Sequence, residues 1–187
     1  LFALLLEWTV ELLPRFASRM LSKVSNGLAT LTIGVRGFAI DDAVWQQIAD
    51  RCTELADGFD PHDFARTAWG FATVGHAAPD LFGALAAEAL PQLHEFNEQA
   101  LVMMVWAFSR FARAGHAAPA LFDAVAAAAL PRLHKFDAQA LSNTLWAFGT
   151  AEHPAPALFD AVASAAPKRL HDFNEQNLAM TVWSFAS

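Results

Sequence analysis

An internal repeat constrains this chain more than any other feature of its sequence. Four segments superimpose: FDPHDFARTAWGF from Phe59, FNEQALVMMVWAF from Phe96, FDAQALSNTLWAF from Phe136 and FNEQNLAMTVWSF from Phe173, spaced by 37, 40 and 37 residues. Between them lie three copies of a second segment, which open at His76, His116 and His153 and reach a second histidine 18 residues later at His94, His134 and His171. The three extra residues of the longer period therefore fall between Phe108 and His116, where they are expected to lengthen one helix by about one turn. Two segments per unit predict two helices per unit. The fold class is then all-α, an α-solenoid of helix-turn-helix repeats of 37–40 residues, in which each unit covers its apolar face with the next.

Composition agrees with this reading. Of 187 residues, 55% are hydrophobic, 40 are alanine, 16 are phenylalanine and six are tryptophan, so strong helix formers alternate with large aromatics and disorder is excluded. Helix starts are legible. Asp60, Asn97, Asp137 and Asn174 stand where a short polar side chain satisfies an unpaired backbone N–H, and Phe96 with Leu101, Phe136 with Leu141 and Phe173 with Leu178 are spaced as hydrophobic staples. The second helices are predicted to begin near Pro79, Pro119 and Pro156 and to end around His94, His134 and His171, which would cap them, with kinks at Pro91 and Pro131.

Two stretches follow from this pattern. Residues 1–58 read as degenerate repeats, with second-type helices over Leu1–Phe16 and Ile40–Leu55 and a worn first-type helix over Ala17–Leu31 that Gly34 and Gly37 break. Residues 59–187 read as regular repeats, divided into 59–95, 96–135, 136–172 and a truncated 173–187. Neither end reads as a designed cap, and no leader precedes the first helical pattern, so the sequence is expected to be a fragment with no targeting peptide in view. The longest apolar runs, Leu1–Leu6 and Ala124–Leu130, are too short to cross a bilayer, and no membrane partner is expected.

The first helix of each unit carries two stripes. Leu101, Met104, Val105 and Phe108, like Leu141, Thr144, Leu145 and Phe148, fall on one side and are predicted to be buried. Opposite runs a stripe at i, i+4, i+7 and i+11: His62, Arg66, Trp69 and Thr73; Gln99, Met103, Trp106 and Arg110; Gln139, Asn143, Trp146 and Thr150; Gln176, Met180 and Trp183. Its second place varies against a constant frame and is followed one turn on by a small residue, Gly70, Ala107, Ala147 or Ser184. Such a row can offer an aromatic plane, an amide and one variable side chain to successive bases. The same tryptophans can instead wedge between neighbouring repeats, the glutamines can support helix starts, and Arg66 and Asn143 can belong to a solvated face.

Other chemistries lack a seat. The formal charge is −7, and −5 from Phe59 onward, so any polyanion must be bound locally; Arg110, Arg113, Arg132, Lys135, Lys168 and Arg169 are the local cations. The lone Cys52 can neither close an intrachain disulfide nor build a structural zinc site. The histidines recur once per repeat and lack HExxH spacing, and no phosphate loop or catalytic triad can be nominated. The expectation is no metal, no cofactor and no enzyme activity.

The motif F-[ND]-x-Q-x-L followed by [VL]-W-[AS]-F resembles the organellar helical repeats of the octotricopeptide and heptatricopeptide type, which include the FAST kinase family and RAP-domain proteins. The resemblance is good over Phe59–Ser187 and faint before it. It implies a non-enzymatic array that binds single-stranded RNA in the mitochondrial matrix or chloroplast stroma and serves RNA processing, stability or translation. By this likeness Arg66, Trp69, Gln99, Met103, Trp106, Arg110, Gln139, Asn143, Trp146, Gln176, Met180 and Trp183 would face RNA. No nuclease-like RAP segment is present in these residues. A protein-interaction scaffold is the alternative, favoured by the acidic balance and the Ala-rich second helices.

Overall fold

A computed structural model describes residues 2–112 and 118–187, and among these residues every regular element is helical. The α-helices are α1 (Phe2–Leu12), α2 (Ser18–Gly34), α3 (Asp42–Glu54), α4 (Pro61–Val74), α5 (Pro79–Ala89), α6 (Glu98–Ala112), α7 (Pro119–Ala129), α8 (Ala138–Thr150), α9 (Pro156–Ala165) and α10 (Glu175–Ala186). Arg113 and His116, and with them the joint that carries the three extra residues, lie outside the described residues.

The local chemistry that starts each helix is visible. Asp60 accepts from Asp63 N–H at 2.8 Å, Asn97 from Ala100 at 2.8 Å, Asp137 from Ala140 at 2.7 Å and Asn174 from Asn177 at 2.8 Å. Each such cap contributes about 1 kcal/mol. In the first regular unit the residue before the cap, Phe59, meets Phe64 edge to face at 5.6 Å, which fixes the entry angle of α4. Helices α5, α7 and α9 start at Pro79, Pro119 and Pro156, where the absent N–H leaves no bond unmade.

The second helices end sooner than their sequence suggests. The α-helical stretch stops at Ala89, Ala129 and Ala165, and a 3-10 segment carries the chain on through Leu90–Glu95, Leu130–Lys135 and Ala166–Asp172. Pro91, Pro131 and Pro167 sit second in these segments, where a proline ring cannot complete the α-helical ladder and the chain tightens. His94, His134 and His171 stand in the last turn of these segments. The exposed rings of His94 and His171 pair with their neighbours Glu95 and Asp172, at 3.6 and 3.3 Å.

Two layers result. The first helices α2, α4, α6, α8 and α10 pack side by side in chain order, while α1, α3, α5, α7 and α9 form the second layer, each touching the next directly or through the 3-10 segment before it. The predicted apolar stripe of the first layer is buried: Leu101, Met104, Val105, Phe108, Leu141, Thr144, Leu145 and Phe148 are all within 2% of complete burial. The layers are joined by a repeated aromatic clasp. Trp45 meets Phe71, Phe82 meets Phe108, Phe122 meets Phe148 and Phe159 meets Phe185, all edge to face, with ring centroids 5.2, 4.9, 5.1 and 5.2 Å apart.

The turn from first to second helix is also built alike. Gly75 and Glu152 hold left-handed backbone, with φ of 74° and 53°, and the next residues, His76 and His153, return their N–H to Phe71 and Phe148 carbonyls. Their rings then reach the second layer, His76 Nδ1 to Asp42 at 2.5 Å and His153 Nε2 to Asp123 at 2.8 Å. Those histidines are therefore joints between layers, and among the described residues no group of three or more His, Cys, Asp or Glu is arranged to hold a metal ion. No helix of the described residues is long and apolar enough to cross a membrane.

Candidate nucleic-acid interface

The stripe opposite the buried face turns outward along one side of the first layer. Gln99, Gln139 and Gln176, near the helix starts, are exposed, as is Arg110; Arg66, Met103, Asn143 and Met180 are half-buried. Trp69, Trp106 and Trp146 are half-buried too, and Trp183, on the last helix, is 43% exposed. Trp69 and Trp106 lean on the core with one side; Trp69 also lines the groove described below, while Arg110 lies over the Trp106 ring.

The small residues one turn on, Gly70, Ala107, Ala147 and Ser184, are all buried. A Cβ added to Gly70 would stand 3.0 Å from the Ser25 carbonyl oxygen, so the backbones of α2 and α4 nearly touch there. At the other end of the layer Gly149 leaves room for the Trp183 ring, which lies 6.5 Å from that of Trp146. The guanidinium of Arg110 sits 5.9 Å over the Trp106 ring, a cation–π contact that occupies one face of that indole.

A groove of about 710 Å³ runs across α2, α4, α6 and α8 on this side. It brings together Trp69, Gln99, Met103, Gln139 and Asn143 from the sequence-derived set. It also includes Lys135, one of the cations expected near phosphates, and residues not assigned to the interface from sequence: Asn26, Thr30, Asn97, Glu98, Val102, Asp137 and Ala140. Arg66, Trp106, Arg110, Trp146, Gln176, Met180 and Trp183 share the stripe without lining the groove. Asn26 and Thr30 were discoverable. Aligning Phe16 on Phe59 places Lys23 at the Arg66 position, Asn26 at the Trp69 position and Thr30 at the Thr73 position, but the repeat there is 43 residues long and has lost its tryptophan.

Of the cations expected near phosphates, several are already engaged. Arg132 donates to the carbonyl oxygens of Ala128 at 2.8 Å and Phe96 at 2.7 Å, stitching its 3-10 segment to the preceding unit, so it is a structural residue. Arg169 pairs with Asp172 at 3.6 Å. Lys135 lines the groove, and Lys168 is exposed.

No curated protein matches the chain. A family model described as RNA-editing substrate-binding complex 6 protein matches residues 12–187, degenerate and regular units together. By a match over nearly its whole length, and consistent with its two-layer helical repeat array, the chain belongs to the RNA-editing substrate-binding complex 6 protein family.

Proposed function

We propose that the outward side of the first-helix layer binds single-stranded RNA and that the chain is a non-enzymatic member of an RNA-editing assembly. The observation that carries this reading is the groove across α2–α8, where amides, a thioether and one indole line a trough that consecutive repeats extend. Half-open indoles at Trp106 and Trp146 continue it. An aromatic side chain that stacks on a base contributes about 1–3 kcal/mol whatever the base, and unpaired bases are what a protein reads most readily in RNA. The family's name, RNA-editing substrate-binding complex 6 protein, supports an RNA and protein-complex setting for this chain.

The finer likeness to octotricopeptide, heptatricopeptide, FAST kinase and RAP-domain arrays belongs to the same proposal, as does an organellar address. The mitochondrial matrix is the address we adopt, since the family match lends nothing to a chloroplast stroma. No cofactor is required by this role.

Equilibrium binding of a fluorescent single-stranded RNA pool tests it. Trp106→Ala and Trp146→Ala should each weaken binding about fivefold or more while helicity and melting temperature stay near those of the parent. A folded sample that shows no saturable binding at low salt overturns the reading, and variants that unfold would make these indoles packing residues.

A second reading, a protein-interaction scaffold, is favoured by the acidic balance of the chain, −7 overall, and by the Ala-rich second helices α7 and α9, which suit an amphipathic helix of a partner.

A further inference from the structure

The proposed interface is not chemically uniform along its length. At the first two places of the stripe α2 carries Arg19 and Lys23, and α4 carries His62 and Arg66. The equivalent places hold Gln99 and Met103 in α6, Gln139 and Asn143 in α8, and Gln176 and Met180 in α10. At these two places three permanent cations, Arg19, Lys23 and Arg66, therefore stand at one end of the layer, and amides and thioethers at the other.

The counter-charges follow the same division. Helix α2 contains no acidic residue, and the one acid within α4, Asp63, is turned inward, where it accepts from the Ser22 hydroxyl. Among the described residues no carboxylate lies within ion-pair distance of Arg19, Lys23 or Arg66. At the α6–α8 end the groove is lined by Glu98 and Asp137 against the single cation Lys135. A phosphodiester chain is repelled there and attracted at the other end. The two ends are continuous, because Asn26 and Thr30, following Lys23 on α2, and Trp69, following Arg66 on α4, line the same groove as Gln139 and Asn143.

Resting on the RNA reading above, we infer that the interface is bipartite: the α2–α4 end holds the phosphate backbone, and the α6–α10 end receives unpaired bases and discriminates among them. Lys23 and Arg66 then set affinity without regard to sequence. Gln139 and Asn143 set preference, since an amide can pair two base-edge groups at once while contributing no counterion release.

The test compares the parent chain with two double variants, Lys23→Gln/Arg66→Gln and Gln139→Ala/Asn143→Ala, each first shown to melt like the parent. The probes are oligoadenylate, oligocytidylate and oligouridylate of one length, titrated across a series of salt concentrations. The charge variant should lower affinity for all three equally and flatten the log–log salt slope by about 1.4, two phosphate contacts at ~0.7 each. The amide variant should leave the slope unchanged and reduce affinity for the preferred oligomer by about fivefold or more, bringing the three together. Binding that persists while both variants flatten the slope alike, or both shift preference alike, overturns the bipartite assignment and leaves the RNA reading standing. A folded parent that binds none of the oligomers at low salt overturns the RNA reading itself.

Discussion

The two layers of this molecule are cut from one repeat, yet they are built by opposite rules. In the first layer, neighbouring helices lie so close at Gly70 that a Cβ would crowd the α2 backbone, and the equivalent Ala107, Ala147 and Ser184 are buried as well. The second layer is looser. Its helices are short, rich in alanine and stopped by proline, and they touch largely through 3-10 segments. Tight packing on both flanks fixes the orientation of each first helix, and an orientation so fixed is what lets an outward stripe present side chains in register. Variation concentrates where that frame is firmest, from Lys23 through Arg66, Met103 and Asn143 to Met180, while the second segments from His76, His116 and His153 remain nearly identical.

The largest test of this contrast cuts the clasp between layers. Phe122→Ala removes a buried ring that meets Phe148 at 5.1 Å, and is expected to destabilise the fold by about 3–5 kcal/mol in denaturant unfolding. A loss under about 1 kcal/mol would mean that the layers are held by something other than the aromatic pairs. Next come two glycines, one in each layer. Gly70→Val forces methyl groups against the α2 backbone and should destabilise by about 1–3 kcal/mol. Gly83→Ala, on α5, meets nothing within 4 Å and should stabilise by about 0.5–1 kcal/mol through helix propensity alone. Equal signs for the two would erase the distinction between tight and loose layers.

A pH-dependent effect concerns the inner side of the second layer. Burial pushes the Cys52 thiol on α3 from 9.0 up to about 12. The unfolded chain then releases this proton from about pH 9 while the folded chain retains it, so stability falls with rising pH between about 9 and 12. The slope reaches at most ~1.4 kcal/mol per pH unit and vanishes below that window. Comparing parent and Cys52→Ala unfolding from pH 8 to 10.5 isolates it; identical pH profiles would show a wetter inner face than that of the first layer.

Much of this was legible in the sequence because it is local. A cap such as Asn97 or a helix start such as Pro119 depends on its own few neighbours, and the buried stripe on 3.6-residue periodicity, so each could be placed before any packing was known. What was not legible depends on the distance between elements. The half-exposure of Trp69 and Trp106 depends on how the first helices pack, and the use of Arg132 as a stitch depends on where the Phe96 carbonyl lands. Asn26 and Thr30 were hidden for a third reason: the 43-residue offset of the first unit puts them out of phase with the later copies. The shortened second helices depend on proline placement. Pro91 and Pro131 marked the point of departure, but not the six-residue 3-10 segment, which ends where the Phe96 and Phe136 N–H groups bond the Leu93 and Leu133 carbonyls.

Between first helices, two interfaces carry a buried polar lock and two do not. Ser22 bonds Asp63 across α2 and α4, and Ser142 bonds Asn177 at 3.2 Å across α8 and α10, whereas the same places between them hold Ala65 with Ala100 and Val102 with Ala140. The units are therefore not interchangeable beads. Excising residues 59–95 would set Ser22 against Ala100 and leave a hydroxyl with no partner across the new joint, and duplicating residues 136–172 would set Ser142 of the first copy against Ala140 of the second with the same fault. Shuffling is free only between the two middle interfaces, so a lineage that gained or lost repeats by recombination could do so in the centre of the array far more readily than at either lock.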